Sequence, residues 1–491
     1  MIFNKNIIAN YVGQIYRAVI SFIFIPVYIS FLGIEAYGWV AIFLILQTWF
    51  ALLDSGLKPA LTREMAKFSS GKYSVSKIHN LLKTVTVITA ALGFIVIFLL
   101  YFSSDFLLNK WIVYSFNPEI NSDNIITLFG VLLALQFIET LYSSCLIGLQ
   151  LHIRVNICLI FTSSLRAIGA VIVLGNISAT INAFFFWQLA ASVISTFIFF
   201  ITLNKSLPKN PSKAVMDISL VKDLKNYILG LMGITFVSLL LTQIDKLIII
   251  NNLDISSVAI YSLASSAAAV IFVLVTPITT TYFPIFVAKL KERKRHDLVS
   301  EFHRGSQLIS VLVIPACLSL SFFGEILAGI WLQNLELSEK VGPLLSLLSI
   351  GILVNICYWI PMQLQLAYGW TKLSLYTNLT LSLISIPLYI YAIENDGLIA
   401  VAFVSIFIHS LAGLIVFYFM FKKIIRKERW RWFLKDNLFF IALSAFLMFF
   451  MDYLFIGETA TLFNLSKIFL TYIIIVIINF RLSMFWPIRN Y

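Results

Sequence analysis

Arg17, Glu139, Arg166 and the adjacent Asp245 and Lys246 each fall well inside an apolar run long enough to cross a bilayer. A charge at the centre of a spanning helix costs ~2.5–3.5 kcal/mol on insertion scales, so it is expected to face protein or water rather than lipid. A guanidinium presents five donors in a planar fork, and carboxylates and phosphates match that shape best. Two arginines at this depth therefore suit an anionic ligand. Internal pairing of an arginine with Glu139 would satisfy only part of its donor set. Asp245, Glu139 and Asp54 are carboxylates able to take up a proton or a sodium ion.

Residues three, four and seven apart share one side of a helix. By that rule Asn6, Asn10, Gln14, Arg17 and Ser21 form one polar stripe, and Gln136, Glu139, Thr140 and Ser143 a second. Thr235, Ser238, Thr242 and Asp245 form a third, and Asn355, Tyr358, Met362 and Gln365 a fourth. Ser and Thr alone would more simply hydrogen-bond between packed helices. With the charges added, the stripes imply a hydrated cavity.

The elements that carry these stripes are spanning helices. The 491 residues are 60% hydrophobic and 12% charged, with mean hydropathy +0.94, far outside the soluble globular range. Each span needs ~20 mostly apolar residues. Fourteen such runs are expected: 7–32, 38–57, 81–102, 125–149, 155–175, 181–203, 227–250, 258–288, 306–332, 343–367, 373–393, 397–421, 438–456 and 462–480. Together they nearly exhaust the chain and leave no room for a sizeable soluble domain. Pro26, Pro277, Pro284, Pro315, Pro361 and Pro387 lie within these runs and are expected to kink them.

Charge sets the orientation, because Lys and Arg accumulate in cytoplasmic loops. With the N-terminus inside, the inner side holds 28 of the 35 Lys and Arg against eight acids, and the outer side holds Lys110 and Lys340 against ten acids that include Glu119. Both termini are thus expected in the cytoplasm. The net charge of +12 describes a basic face on an anionic leaflet rather than a nucleic-acid site. The basic runs "KPALTREMAKFSSGKYSVSK" and "KLKERKRHDLVSEFHR" read as topology determinants. "RKERWRWFLKD" reads as an interfacial helix before the last two spans.

Other chemistries find little support. Cys145, Cys158, Cys317 and Cys357 all lie in spans, so neither a disulfide framework nor a zinc site is expected. There is no GxxxxGK[ST] for nucleotide hydrolysis. His409 is isolated in a span and reads as a packed, hydrogen-bonded core residue. Lys83 can snorkel, and Asp452 and Lys467 are placed to pair. The outer loops are short, the longest being 103–124, which disfavours an enzyme with catalytic carboxylates in a large external loop. The reading is of a carrier and not an enzyme.

The opening stretch, with a late proline in the first span followed by "LGIEAYG", "LLDSGL" and "LTREMA", resembles the bacterial polysaccharide flippases. These are the Wzx-type O-antigen transporters of the multidrug/oligosaccharidyl-lipid/polysaccharide (MOP) superfamily. A second block, with Gln243-Ile244-Asp245-Lys246, Ala259-Ile260-Tyr261-Ser262 and Phe283-Pro284, is similar to the start of that family's second half. The likeness extends to about residue 421, and multidrug exporters share the fold.

The resemblance implies an all-α polytopic membrane protein of about 14 transmembrane helices, with two six-helix lobes around a central cavity plus two C-terminal helices. The lobes would be 1–204 and 227–421, joined by a cytoplasmic linker at 205–226. A basic interfacial segment at 422–437 would precede the last two helices and tail at 438–491. It implies a flippase carrying undecaprenyl-pyrophosphate-linked oligosaccharide to the outer leaflet of the inner membrane by alternating access. Arg17, Arg166 and Lys246 would hold the pyrophosphate or acidic sugars, and Asn10, Gln14, Gln136, Asn355, Tyr358 and Gln365 the sugar hydroxyls. No cofactor is expected beyond coupling to H+ or Na+ at Asp245, Glu139 or Asp54. The expected partners are the lipid-linked oligosaccharide, membrane lipids, a polysaccharide polymerase and a chain-length regulator, and no nucleic acid. The alternatives are a cation-coupled multidrug or metabolite exporter of the same fold, and a non-transporting subunit of an envelope-assembly complex.

Overall fold

The computed structural model describes residues 2–112, 125–209, 213–292, 295–455 and 461–483, which are helical with no strand among them. Glu119, most of the expected 103–124 loop and the C-terminal tail beyond 483 lie outside the described residues. Among the described residues, twelve helices are long and apolar enough to cross a membrane. Two of these, Ala9–Ser55 and Thr371–Lys423, each hold two of the expected spans, which restores the count of fourteen. Both break at a glycine: Gly33 has φ 78° and Gly397 φ 66°. Side chains other than glycine's are disfavoured at positive φ. The chain therefore reverses between successive spans with almost no loop. The prolines Pro26, Pro277, Pro284, Pro315 and Pro387 lie within continuous helices, so the sharpest interruptions come from glycine.

Contacts divide the chain into two compact units. The first comprises Met1–Leu239 and Ile249–Ala259, and the second Leu240–Ile248 and Ile260–Tyr491. In the first, α1 (Ile2–Ser55) is followed by a short amphipathic helix, α2 (Leu57–Ser69), then α3 (Val75–Phe106), α4 (Ile125–Gly148), α5 (His152–Asn176) and α6 (Ile181–Ser206). α2 was not expected; it buries Ala60, Leu61, Glu64 and Met65. The core of this unit gathers Leu61, Met65, Ile78, Val85, Leu141, Cys145, Leu146 and Phe199. Segment 205–226 contains one helical turn, α7 (Ser219–Lys222), and leads into α8 (Lys225–Asn252), along which the boundary between units passes.

The expected 258–288 run is two helices: α9 (Ile255–Ala269), whose first turn belongs to the first unit and the rest to the second, and α10 (Phe272–Glu292). α11 (Arg295–Phe322) begins well before the apolar run and ends at a turn before α12 (Gly324–Leu332). α13 (Leu335–Cys357) likewise breaks at Tyr358 before α14 (Trp359–Ala367). After α15 (Thr371–Lys423), the "RKERWRWFLKD" segment forms a 3-10 turn, α16 (Arg429–Arg431) and a wider π turn over Trp432–Leu438. That turn runs without interruption into α17 (Phe439–Phe455), and α18 (Leu462–Leu482) follows. Trp432 is buried against Tyr358, Phe417 and Phe421, while Trp430 is exposed. The same segment inserts Asp436 into the core, where it meets His303 Nδ1 and accepts from Gln307 at 2.8 Å; Glu428 meets His303 Nε2 at 3.0 Å. A polar anchor thus fastens this basic stretch to α11. Lys467 lies over the Phe463 ring at 4.4 Å, and no ion pair joins it to Asp452.

Candidate functional site

α1 and α5 meet along a polar seam. Asn6 donates to the Gln150 carbonyl, Asn10 meets His152 Nδ1 at 3.2 Å, Asn156 Nδ2 donates to Asn10 Oδ1 at 2.7 Å, and Tyr16 and Ser164 hydroxyls lie 2.7 Å apart. The partners rise together along both helices, so the first span of α1 and α5 run parallel, as spans with an odd number of crossings between them must. Gly13 permits the close approach: a Cβ there would sit 2.1 Å from Asn156 Oδ1. Asn10, expected against sugar, is therefore engaged by α5. His152 and Asn156, which the sequence reading did not single out, complete the seam. Their spacing of four places them on one helix face, and that was the available signal.

Gln14 and Arg17 occupy the part of the stripe that the seam leaves open. Gln14 is exposed. The half-buried Arg17 donates from Nε to the Gly13 carbonyl at 3.2 Å. Among the described residues no carboxylate lies within ion-pair distance of its outer nitrogens. Arg166 differs. Its Nη2 donates to Glu139 Oε2 at 2.7 Å, with side-chain exposures of 29% and 13%. The pair holds α5 to α4, and Arg166 Nε is buried without a partner. Trp187 and Gln188 of α6 donate to the Leu165 and Arg166 carbonyls, fixing the backbone of α5 at this level. Gln136 accepts from Gln47 at 2.6 Å. Asp54 lines a cleft with Lys58, Thr89 and Thr140 at the end of α1.

In the second unit Asp245 accepts from the Tyr261 hydroxyl at 2.6 Å, while its Oδ1 is buried without a partner. Tyr389, Ser405 and His409 belong to the same neighbourhood: Asp245 bears electrostatically on Tyr389 and His409. His409 Nδ1 donates to the Ser405 carbonyl at 2.8 Å. Lys246 is half-buried, and among the described residues no carboxylate lies within ion-pair distance of it. It lies about 100° around the helix from Asp245.

The fourth stripe is largely absorbed by packing. Gln365, expected on an open face, is fully buried and donates to the Trp370 carbonyl at 2.9 Å and to Ser374 Oγ at 2.8 Å. Asn355 Oδ1 accepts from Trp359 Nε1 at 2.8 Å. Tyr358 marks the break between α13 and α14 and packs on Trp432 and Gly413. Their polar spacing reflects the way a broken helix satisfies its own end, so these three are not carried forward as ligand contacts.

A model of the family described as "Polysaccharide biosynthesis protein" matches residues 3–290, and one described as MatE matches residues 231–390. No curated protein matches in sequence. Among solved structures, the lipid II flippase MurJ in an inward closed conformation aligns at TM-score 0.73 and 15% identity, covering 97% of this chain and 98% of that one. An inward-facing MATE-family multidrug resistance transporter of the MOP superfamily aligns at 0.66 and 13%, covering 86% and 96%. A MOP-superfamily transporter from Pyrococcus furiosus, described as having a binding pocket of reverse polarity, aligns at 0.56 and 14%, covering 86% and 94%.

The fold is thus that of the MOP-superfamily flippases and transporters, in a multi-pass membrane protein. Within that class the chain belongs to the polysaccharide biosynthesis protein family.

Proposed function

We propose that the protein is a flippase that moves an undecaprenyl-pyrophosphate-linked oligosaccharide, an O-antigen or other surface polysaccharide repeat unit, from the cytoplasmic to the outer leaflet of the inner membrane. The observation that carries this reading is Arg17: a guanidinium deep in a span, held among the described residues by a carbonyl of its own helix, with its outer nitrogens turned to no carboxylate there. Phosphate oxygens match that fork. Arg166 contributes through its positive field while paired with Glu139, and Lys246 of the second unit is a further cation with no carboxylate within ion-pair distance among the described residues. Gln14 and Gln136 would meet sugar hydroxyls.

The two lobes work by alternating access, the polyprenyl tail staying in lipid. The 28 cations of the inner loops support cytoplasmic termini. Each negative charge moved outward gains ~2.3 kcal/mol per 100 mV of interior-negative potential, so a pyrophosphate headgroup moves downhill without nucleotide hydrolysis. Asp245, with an unoccupied carboxylate oxygen beside Tyr261, is the coupling carboxylate for H+ or Na+.

The test is reconstitution in proteoliposomes with lipid-linked oligosaccharide on one side and, in parallel, a cationic dye. Translocation of the former alone is expected. Dye efflux without oligosaccharide movement identifies an exporter, and movement of neither identifies a non-transporting assembly subunit.

A further inference from the structure

A cavity of about 160 Å³ lies at one end of the first unit, lined by Arg63, Lys67, Tyr73, Lys77, Asp223 and Tyr227 among others. It sits at the starts of α3 and α8 and shares no residue with the site above. One wall is α2 and the start of α3. The other is 220–224, and the described residues leading to it are tied to α3. Along α3, His79 donates to the Pro208 carbonyl at 3.0 Å and Lys83 to the Ala214 carbonyl at 2.9 Å. Asn80 Oδ1 and Thr84 Oγ1 accept from the backbone of Val215 and Asp217, both at 2.8 Å.

The cations of this cavity are not equivalent. Lys67 is spent on the buried Glu64, donating at 2.6 Å, and the Tyr73 hydroxyl donates to the other oxygen of the same carboxylate at 2.6 Å. Burial favours the neutral form of Glu64, but the hydrogen bonds from Lys67 and Tyr73 outweigh burial and hold its pKa below the ordinary value, so Glu64 stays ionised with its charge balanced by Lys67. Lys77 instead lies over the Tyr73 ring at 4.0 Å, and Arg63 over the Tyr227 ring at 5.3 Å. Among the described residues Lys77 has no carboxylate within ion-pair distance, and Arg63 reaches Glu64 only through Nε at 3.9 Å. Aromatic faces position these two charges without consuming their hydrogen-bond donors. Just before this wall, Val215, Met216 and Ile218 are 61%, 43% and 52% exposed, an apolar strip continuous with a charged one.

We infer that this cavity is a binding site for the phosphate of an anionic phospholipid, with Arg63 and Lys77 on the headgroup and Val215, Met216 and Ile218 against the acyl region. Cationic clusters beside a membrane segment attract such lipids, and a guanidinium fork beside an ammonium suits a phosphodiester. The exposed apolar strip favours a lipid over a free phosphate. The site does not depend on what the chain transports.

The test uses the purified full chain in neutral detergent, measuring retention of phosphatidylglycerol against phosphatidylcholine by native mass spectrometry. The wild type is expected to prefer phosphatidylglycerol, and the Arg63→Gln, Lys77→Gln double variant to bind it about tenfold more weakly or less with an unchanged melting temperature. The Arg63→Lys, Lys77→Arg pair is expected to recover part of the binding. A Lys289→Gln, Lys291→Gln control at the basic last turn of α10 in the second unit is expected to leave binding intact. Competition by millimolar inorganic phosphate supports the phosphate contact and shifts the ligand toward a soluble source. Equal retention by wild type and the glutamine pair, or equal loss in the control, overturns the site.

Discussion

The two units handle deep charge in opposite ways. In the first, the charges are arginines: Arg17 is held by a carbonyl of its own helix, and Arg166 is clamped between α4 and α5 through Glu139. In the second, the deep anion Asp245 is held by the neutral hydroxyl of Tyr261. A neutral partner leaves a carboxylate free to exchange a proton or ion, whereas a carboxylate partner fixes an arginine in place. The contrast separates three roles within one fold: an open cation suited to a ligand, a closed ion pair suited to holding helices, and an open anion suited to coupling.

The comparison is broken most directly at Arg17. Arg17→Ala is expected to lower oligosaccharide translocation about 10–100-fold, the worth of one or two charge-assisted hydrogen bonds, while the melting temperature stays near wild type. A large fall in stability would make Arg17 a structural residue like Arg166. Arg166→Ala is expected to show the reverse balance. It leaves Glu139 uncompensated and should lower unfolding stability by ~2 kcal/mol, less than the ~3–5 kcal/mol of a fully buried pair because both partners keep some exposure. Thermal denaturation in detergent reads it, and the Arg166→Ala, Glu139→Ala double variant should recover part of the loss.

Asp245→Asn sharpens the other side. The amide oxygen still accepts from Tyr261, so folding is preserved, and transport is expected to lose its dependence on an imposed H+ or Na+ gradient, by about tenfold in rate. Retention of that dependence would move coupling to Glu139 or Asp54. The smallest effect is expected away from the spans, at Glu64. Its folded-state pKa is depressed by Lys67 and Tyr73, so its contribution to stability is present above the ordinary value of 4.5 and fades as pH falls through the lower folded value. Tyr73→Phe should lower stability near neutrality by ~0.5–1.5 kcal/mol and flatten this acid-side loss in melting curves taken from pH 7 downward.

Much of the fold was readable because spans are long, nearly uniform in composition and punctuated by charge. The helix count survives even where two spans fuse into one α1 or one α15, since apolar length is a property of the chain and not of the loops between. Glycine breaks were missed because Gly33 and Gly397 look like ordinary loop residues until their φ angles are known. α2 was missed because a short amphipathic helix carries too little apolar length to stand out beside its neighbours. In the site, periodicity identified which residues share a face but not what covers it. The stripe from Asn6 to Ser21 and the stripe from Asn355 to Gln365 have the same spacing. α5 claims half of the first, while a helix break and Trp370 claim most of the second. Asp245 was visible as a charge, yet its partners Tyr261, Tyr389 and His409 are distant in sequence and carry no pattern of their own.

The seam of Asn10, His152 and Asn156 has a mechanical consequence. A guanidinium mounted on a lone helix would swing with every thermal bend of its support, but this one rides on a pair of parallel rods stitched by amides. Any movement of the Arg17-bearing end of α1 must drag α5, and through Arg166 also Glu139, along as a single lever.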